Sequence, residues 1–364
     1  RPSAAAAGGA GGAEEEAELR GKPVLDVDDP DIKKIKDFGR YKVFVKGKRP
    51  RPKGFHVYLC SMSEVGHMTP TFRIARALAA RSAIGRVTFA TNLFGAGKVA
   101  QWLRERPDAT GKIELVGFED GWSQDMQDES NRMAQAGDGS LVLTAASYAE
   151  YGMLPLLESL CEEEGGREAN EPACWVFDLM SCIGALQAVA EHFGSKRPCL
   201  ASAPLSMLIG PAMVAIAAMP VLLHAFPLPK ELKDAFPWTH NTPANILHVG
   251  VFAGDPGQSL PAELEAYLEE PGPPVVYVSM GSQGYFTKEQ LCQMVGGLSA
   301  PGEWRVLWSL RDNQQKNLPG DGPASLGEDF LVRSWLPQAD LLRHPRVAAF
   351  VSHCGWGATS EAIL

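Results

Sequence analysis

The sequence of 364 residues lacks the features that identify several classes of protein. Acidic residues outnumber basic ones by 43 to 34, and the net charge of −9 provides no general basic excess for binding nucleic acid. The seven cysteines and eight histidines are scattered, and no group of them has the spacing of zinc ligands. We therefore expect no nucleic-acid partner and no metal. The scattered cysteines indicate reduced thiols and a cytoplasmic protein.

An uninterrupted apolar run is also missing. Residues 198–229 contain no charged side chain, which raises the question of a membrane span. Three prolines interrupt this run between positions 204 and 220, and much of it is alanine, serine, glycine and methionine. We interpret the run as loops and short helices that line a pocket for an apolar substrate, with Met207, Met213 and Met219 as adaptable walls, and expect no transmembrane segment.

The first 53 residues have little apolar surface to bury. Alanine and glycine fill positions 4–13, a run of three glutamates follows, and mixed charge continues to the end of the stretch. This composition predicts a mostly disordered tail over residues 1–53. Six basic residues and no acidic ones lie between Lys42 and Lys53, a pattern that suits an anionic membrane surface or a localisation signal, although a solvated linker is the favoured interpretation.

Alternating strand and helix patterns begin near Gly54. Phe55 to Met62 predicts a strand, and Thr69-Pro70 predicts the N-cap and first turn of the following helix. Further strands are predicted at 86–90, 113–118 and 174–177, with helices at 97–106 and within 141–164. This alternation is typical of a doubly wound parallel sheet, in which ligands bind beyond the carboxyl ends of the strands. A Walker phosphate loop is not present, because Val99 follows Gly95-Ala96-Gly97-Lys98 where serine or threonine is needed.

A second alternation follows a segment rich in proline and glycine. We divide the chain into a first domain at 54–253, a linker at 254–274 and a second domain at 275–364. In the second domain strands are predicted at 275–280, 304–310 and 330–335, and a helix at 287–298. Gly281-Ser282 follows the first of these strands, where small residues let backbone amides approach a phosphate.

The stretch from Trp335 to Glu361 carries the strongest functional pattern. An apolar run at 347–351 predicts a buried parallel strand, Ser352-His353-Cys354-Gly355 forms a tight turn, and a helix begins near Gly357. The first amides of such a helix have no partners within it and lie at the positive end of its dipole, which suits a phosphate group. Glu361, one turn later, can accept hydrogen bonds from sugar hydroxyls. Together these parts indicate a nucleotide-sugar pocket.

The spacing of these residues resembles the signature of the plant-type UDP-dependent glycosyltransferases. That pattern runs Trp-x-Pro-Gln, then His, then Phe-(Val/Leu)-(Thr/Ser)-His-Cys-Gly-Trp-Asn-Ser, then Glu, and every spacing is kept here. The resemblance implies that Trp335 stacks on uracil, His353 contacts the diphosphate, Trp356 lies near the transferred sugar and Glu361 holds the ribose hydroxyls. The positions it assigns to the UDP-sugar are Ser282, Trp335, Gln338, His353, Gly355, Trp356, Gly357, Ala358 and Glu361.

Two positions depart from the family pattern. Gly357 stands where the family has asparagine and Ala358 where it has serine, so two side-chain contacts are lost and backbone amides would have to serve. The sequence ends at Leu364, before the Asp-Gln or Glu-Gln pair that contacts sugar hydroxyls in the family. We expect a chain that ends there to have an incomplete second domain, to expose apolar faces, and to be inactive and prone to aggregation.

Two polar residues follow predicted strands of the first domain. His67 lies in Gly66-His67-Met68-Thr69-Pro70, and Asp178 follows the strand at 174–177. In the family, a Gly-His-x-x-Pro loop carries the catalytic base, and a carboxylate at the end of a later strand orients it. An alcohol needs such a base to become a nucleophile, and a carboxylate stabilises the imidazolium that forms. The alternative is that the two residues only cap helices.

The resemblance implies an α/β protein with two Rossmann-like domains, the GT-B arrangement, of which the second is incomplete. The implied function is transfer of a sugar, most simply glucose, from a UDP-sugar to a hydroxyl of a small lipophilic or phenolic acceptor with inversion, in secondary metabolism. We expect a monomer without a cofactor, since the UDP-sugar is a co-substrate. A noncatalytic nucleotide-sugar binding protein, a decayed transferase and a nucleotide-sugar epimerase are the alternatives.

Overall fold

The computed structural model describes two compact units of the chain. The described residues are 32–38, 41–46, 53–63, 65–105, 110–118, 153–162, 171–178, 199–203, 221–223, 246–248, 259–281, 284–320 and 322–364, with a few single residues between these ranges. The first unit contains the strands and helices from Ile32 to His248, and the second contains those from Ala262 to Ile363.

The first unit is built on a nine-stranded sheet. In chain order its strands are β1 (Ile32–Phe38), β2 (Tyr41–Lys46), β3 (Phe55–Cys60), β4 (Ile84–Asn92), β5 (Ile113–Phe118), β6 (Cys174–Asp178), β7 (Cys199–Ala203), β8 (Val221–Leu223) and β9 (Ile246–His248). They lie in the order β1-β2-β5-β4-β3-β6-β7-β8-β9. Strand β2 pairs antiparallel with β1 and with β5, and the other neighbours are parallel. This is the parallel α/β sheet that the alternation predicts.

Helices cover this sheet through apolar side chains at helical spacing. The helices of this unit are α1 (Val65–Ala79), α2 (Leu93–Glu105) and α3 (Met153–Glu162). Phe72 of α1 lies with its ring centroid 5.9 Å from that of Phe89 on β4 and 5.3 Å from that of Trp102 on α2. Burial of such a ring stabilises the fold by about 1.5–3 kcal/mol, so this cluster fixes α1 on the sheet.

The second unit has a four-stranded sheet in which every pair of neighbours is parallel. Its strands are β10 (Val275–Ser279), β11 (Arg305–Ser309), β12 (Phe330–Arg333) and β13 (Val347–Ser352), in the order β12-β11-β10-β13. Its helices are α4 (Ala262–Glu269), α5 (Lys288–Leu298), α6 (Asp312–Gln315), α7 (Gln338–Leu342) and α8 (Trp356–Ile363). Thr287 caps α5 in a capping box with Gln290, as the helix start predicted at position 287 requires.

The structure differs from the sequence-based expectations at four places. Strand β13 lies at the edge of the sheet that the described residues form and is not buried, since it pairs there with β10 alone and its Ala348 and Ala349 are exposed. Helix α1 begins at Val65, so Pro70 lies inside the helix instead of in its first turn. The ring of Pro70 supplies no amide hydrogen to the preceding turn. The packing of Phe72 and Met68, which are both buried, outweighs that cost.

The other two differences concern segments that composition assigned to the tail and the linker. Strands β1 and β2 lie within residues 1–53, and the backbone of β2 extends the sheet at β5. Helix α4 lies within 254–274, where Leu264 and Leu268 are buried in the core of the second unit. In each segment, charged or turn-forming residues surround a short apolar pattern. Composition alone therefore did not indicate the strands or the helix. The boundary at 253/254 and the three methionines of the apolar run lie outside the described residues.

Candidate functional site

His67 and Asp178 form a hydrogen-bonded pair in the first unit. The imidazole Nδ1 lies 2.8 Å from Oδ1 of Asp178. The side chain of His67 is 22% exposed, whereas that of Asp178 is fully buried. The sequence predicted a carboxylate beside this imidazole, and the structure brings the two side chains together.

The sheet explains why residues 111 positions apart meet. Strands β3 and β6 are parallel neighbours, with Cys60 opposite Phe177, so their carboxyl ends lie side by side. Asp178 is the last residue of β6, and His67 lies in the first turn of α1, which follows β3. The hydroxyl of Thr71 donates to the backbone oxygen of His67 at 3.0 Å and anchors this turn. The arrangement therefore has the position that ligand sites take in doubly wound sheets.

The hydrogen bond determines the chemistry available to the pair. An ionised carboxylate only accepts, so the proton between the two groups belongs to Nδ1 of His67. The lone pair that accepts a further proton is then on Nε2. A buried carboxylate on the other side of the ring stabilises the imidazolium that would result. The pair therefore has the arrangement of a general base with its orienting acid.

His353 is the centre of a second group of predicted residues, in the second unit. It follows β13, is exposed, and lies against the backbone of two glycines. A Cβ atom on Gly355 would lie 2.2 Å from its Nε2, and one on Gly281 would lie 2.5 Å from its Cε1 and Nε2. Gly281 also has a positive φ of 72°. Both positions require glycine if the imidazole is to keep this place.

Helix α8 begins at Trp356, three residues after His353. Gly355 is its N-cap without a side-chain cap, and the amide of Thr359 donates to Gly355 oxygen. The helix therefore presents the amides of Trp356, Gly357 and Ala358 at its positive end, beside the His353 turn. Ala358 is buried, Trp356 is half-buried and Gly357 is exposed. A Cβ atom on Gly357 would meet no heavy atom within 4 Å, so the packing does not require glycine there.

Glu361 lies one turn further along α8 and contacts Gln338, the first residue of α7. Nε2 of Gln338 donates to Oε2 of Glu361 at 2.9 Å. The hydroxyl of Tyr277, on β10, lies 3.4 Å from Oε1 of Gln338. Burial raises the pKa of Tyr277, and the charge of Glu361 adds to that effect, so the phenol stays protonated at neutral pH. Gln338 and Glu361, both predicted from the sequence as site residues, are therefore in contact, and the structure adds Tyr277 to them.

The remaining predicted residues occupy different environments. Trp335 is 70% exposed, while the next residue, Leu336, is buried. The large apolar ring is therefore not part of the described core and has a face open to solvent. Ser282 lies outside the described residues.

Sequence reasoning missed Tyr277 and Asn92. Asn92, the last residue of β4, donates from Nδ2 to Ser63 Oγ at 3.2 Å and accepts from the amide of Gly95 at 3.1 Å. Its position two residues after the strand predicted at 86–90 was an available signal, but asparagine there also serves as an ordinary helix cap. The sequence does not single out Tyr277, because this residue lies inside an apolar strand. Its contact with Gln338 depends on the packing of α7.

Metal-binding clusters and membrane-spanning helices can be sought only among the described residues. Among the described residues, no group of three or more histidine, cysteine, aspartate or glutamate side chains is arranged to hold a metal ion. The helices in the described part of the chain include none that is both long and apolar enough to span a membrane.

A family model matches the C-terminal part of the chain. Residues 225–364 match the family described as UDP-glucoronosyl and UDP-glucosyl transferase. Similar curated proteins include UDP-glycosyltransferase 74E1 of Arabidopsis thaliana, 39% identical over 89 residues that make up 24% of this chain and 19% of that protein. Mogroside I-E synthase of Siraitia grosvenorii is 39% identical over 94 residues, 26% of this chain and 20% of that protein. The chain thus aligns with about a fifth of the length of these relatives.

Solved structures resemble a larger part of the chain. Arabidopsis thaliana UGT89C1 in complex with UDP has a TM-score of 0.63 and 18% sequence identity, over 85% of this chain and 78% of that one. Medicago truncatula UGT71G1 in complex with UDP-glucose has a TM-score of 0.60 and 16% identity, over 85% and 78%. At this level of identity the likeness concerns the fold, which is the GT-B type with parallel α/β sheets in two domains. The fold class predicted from the sequence is confirmed.

Proposed function

We propose, from the match of residues 225–364 to the UDP-glucoronosyl and UDP-glucosyl transferase family, that this protein transfers a sugar from a UDP-sugar to a hydroxyl of a small acceptor. The observation that carries the proposal is the 2.8 Å hydrogen bond between His67 and Asp178. A nucleotide-sugar domain alone accounts for donor binding. A positioned base in the other unit is what an alcohol needs to become a nucleophile.

In the proposed reaction, His67 takes the proton of the acceptor hydroxyl on Nε2. The acceptor oxygen attacks the anomeric carbon as the bond from that carbon to the diphosphate breaks, and the bonding electrons leave with UDP. Attack from the face opposite UDP inverts the configuration of the sugar. The carboxylate of Asp178 stabilises the imidazolium until the proton is passed on.

The donor is proposed to bind along the second unit. Uracil would stack on the exposed face of Trp335, and the diphosphate would lie beside His353 and the first amides of α8. Glu361, oriented by Gln338, would accept hydrogen bonds from the ribose hydroxyls. Trp356 would lie near the transferred sugar. Ser282 and Gly281 would bring backbone amides close to the phosphates.

The finer assignments rest on the same resemblance. We propose glucose as the sugar, a lipophilic or phenolic acceptor, and a role in secondary metabolism. The chemistry described needs no metal or other cofactor, because the residues and the co-substrate supply every group that reacts. A cytoplasmic monomer is the proposed state, and the scattered positions of the seven cysteines in the sequence are consistent with reduced thiols.

A transfer assay tests the proposal. The complete protein is incubated with UDP-glucose and a panel of phenols and apolar alcohols, and the anomeric configuration of each product is assigned by NMR. We expect β-linked glucosides from the α-linked donor. Products with retained configuration would contradict the proposed base mechanism. Calorimetry with UDP and ADP supplies an independent measurement, and equal affinity for the two would contradict the proposed uracil site.

A noncatalytic nucleotide-sugar binding protein is the second candidate. It is favoured by Gly357 and Ala358, which lack the side chains that the related pattern carries at the head of α8. The two candidates differ in turnover. Tight UDP binding with no transfer to any acceptor, and no effect of His67→Ala, would favour the binding protein.

A further inference from the structure

Three side chains form a continuous series of hydrogen bonds from the sheet of the second unit to α8. The hydroxyl of Tyr277 on β10 contacts Oε1 of Gln338 on α7 at 3.4 Å, and Nε2 of Gln338 contacts Oε2 of Glu361 at 2.9 Å. The two helices are short, and the strand lies in the middle of the sheet. The series therefore connects two short helices to an interior strand of the sheet.

The direction of each hydrogen bond is determined by the chemistry of the groups. The carboxylate of Glu361 only accepts, so the amide of Gln338 turns its NH₂ group toward it. This places Oε1 on the side of Tyr277, whose hydroxyl donates. If the hydroxyl is removed, Oε1 of Gln338 loses its donor, and the amide is held in this orientation by Glu361 alone. The opposite orientation would direct an oxygen at a carboxylate.

Tyr277 itself is held without the help of this hydrogen bond. It is 1% exposed, and its ring stacks on Phe350 of β13 with 5.1 Å between centroids and 9° between planes. Register pairing places the two residues opposite each other on parallel neighbouring strands. The phenol therefore has a fixed position, and the more exposed side chain of Gln338 orients its amide toward it.

We propose that Tyr277 is a positioning residue, which orients Glu361 for the ribose hydroxyls of the UDP-sugar through the amide of Gln338. This inference rests on the proposed function and specifies one part of its donor site. Tyr277 makes no contact with the nucleotide in this scheme. Its effect is confined to ligands that carry ribose hydroxyls.

The test compares two ligands across two matched tyrosine variants. Affinities for UDP and for 2′,3′-dideoxy-UDP are measured by calorimetry for the unmodified protein, Tyr277→Phe and Tyr267→Phe. Tyr267 is a suitable control because it lies in the same unit and its hydroxyl is 3.4 Å from the backbone oxygens of Val306 and Asp329, without a link to Glu361. Thermal unfolding establishes that both variants fold.

We expect Tyr277→Phe to weaken UDP binding roughly 3- to 10-fold, the usual net effect of one hydrogen bond, and to leave binding of the dideoxy analogue unchanged. Tyr267→Phe should change neither affinity. Equal losses for the two ligands, or no loss for either, would overturn the positioning role. A protein that does not bind UDP at all would instead refute the proposed function, so the two failures are distinguishable.

A double-mutant cycle with Gln338→Met tests the route. If Tyr277 acts through Gln338, Tyr277→Phe should cause no additional loss of UDP affinity once the amide is gone. Additive losses would overturn this route. Should Tyr277→Phe fail to fold, Gln338→Met alone keeps the inference testable: it must weaken UDP and spare the dideoxy analogue, and an equal effect on both ligands would refute it.

Discussion

The two groups of site residues are held in place by different means. In the first unit, the imidazole of His67 is fixed by a side-chain hydrogen bond to a fully buried carboxylate. In the second unit, the imidazole of His353 is exposed and is confined by the backbone of Gly281 and Gly355. A hydrogen-bond partner orients the imidazole of His67. The imidazole of His353 occupies space that is open because Gly281 and Gly355 have no side chains.

The difference suits the two tasks proposed for these sites. Proton transfer needs one nitrogen at a defined position with a stabilised cation, which a buried acid provides. Binding of a diphosphate needs several donors directed at a space that stays open until the ligand arrives. The comparison therefore predicts large effects on turnover in the first group and smaller effects on affinity in the second.

His67→Ala is expected to have the largest effect. Loss of a positioned base lowers kcat by roughly 10²- to 10⁴-fold, and affinity for the UDP-sugar should be nearly unchanged because the donor residues lie in the other unit. Turnover and calorimetry measure the two quantities. His344→Ala is a matched control, since His344 also lies beside a carboxylate, with its Nε2 3.4 Å from Glu269. Undiminished turnover of His67→Ala would remove this residue from the mechanism.

Asp178→Asn is expected to lower kcat by about 10²-fold. The amide has the shape of the carboxylate and can still contact the imidazole, but it no longer carries the charge that stabilises the imidazolium. Steady-state kinetics measures the loss, with the circular dichroism spectrum as a check that the buried site still folds. A variant that keeps full activity would indicate that Asp178 only holds His67 in place.

Trp335→Ala should affect binding more than stability. The ring is 70% exposed, so its removal costs the fold little, whereas loss of stacking on uracil should weaken UDP binding by about 1–3 kcal/mol. Calorimetry with UDP measures the change. Phe55→Ala is the control, because Phe55 is a 60% exposed aromatic residue of the other unit. Equal effects of the two substitutions would show that the loss is not specific to the uracil position.

The sequence predicted the fold and the pairing of His67 with Asp178 for one physical reason. Both depend on alternating strands and helices, whose parallel order brings carboxyl ends to a common edge. The strand at 113–118 was predicted with its observed bounds, and the capped helix after β10 begins where its threonine indicates. Local patterns of this kind are read directly from spacing.

Features that depend on distant neighbours could not be predicted in this way. The charged residues of β1 and β2 form strands because the edge of β5 offers backbone partners to β2, and β2 offers them to β1. The edge position of β13 depends on the order of strands rather than on its apolar residues. The contact of Tyr277 with Gln338 joins residues 61 positions apart and follows from the packing of α7. Sequence spacing contains no information about such contacts.

Gly355→Ala and Gly357→Ala form the closest comparison within the second group. The two glycines are two residues apart at the start of α8, but a methyl group on Gly355 would lie 2.2 Å from Nε2 of His353, whereas one on Gly357 would meet nothing within 4 Å. Displacement of His353 should weaken UDP binding about 5- to 10-fold, roughly the value of one lost hydrogen bond.

Gly357→Ala should leave UDP affinity unchanged and stabilise the helix slightly, by up to about 1 kcal/mol, because alanine loses less backbone entropy than glycine. Calorimetry and thermal unfolding of both variants give the comparison. Equal UDP affinity in the two variants would mean that His353 does not contact the ligand from its present position. A loss confined to Gly355→Ala would mean that the backbone of Gly355 positions this imidazole for binding.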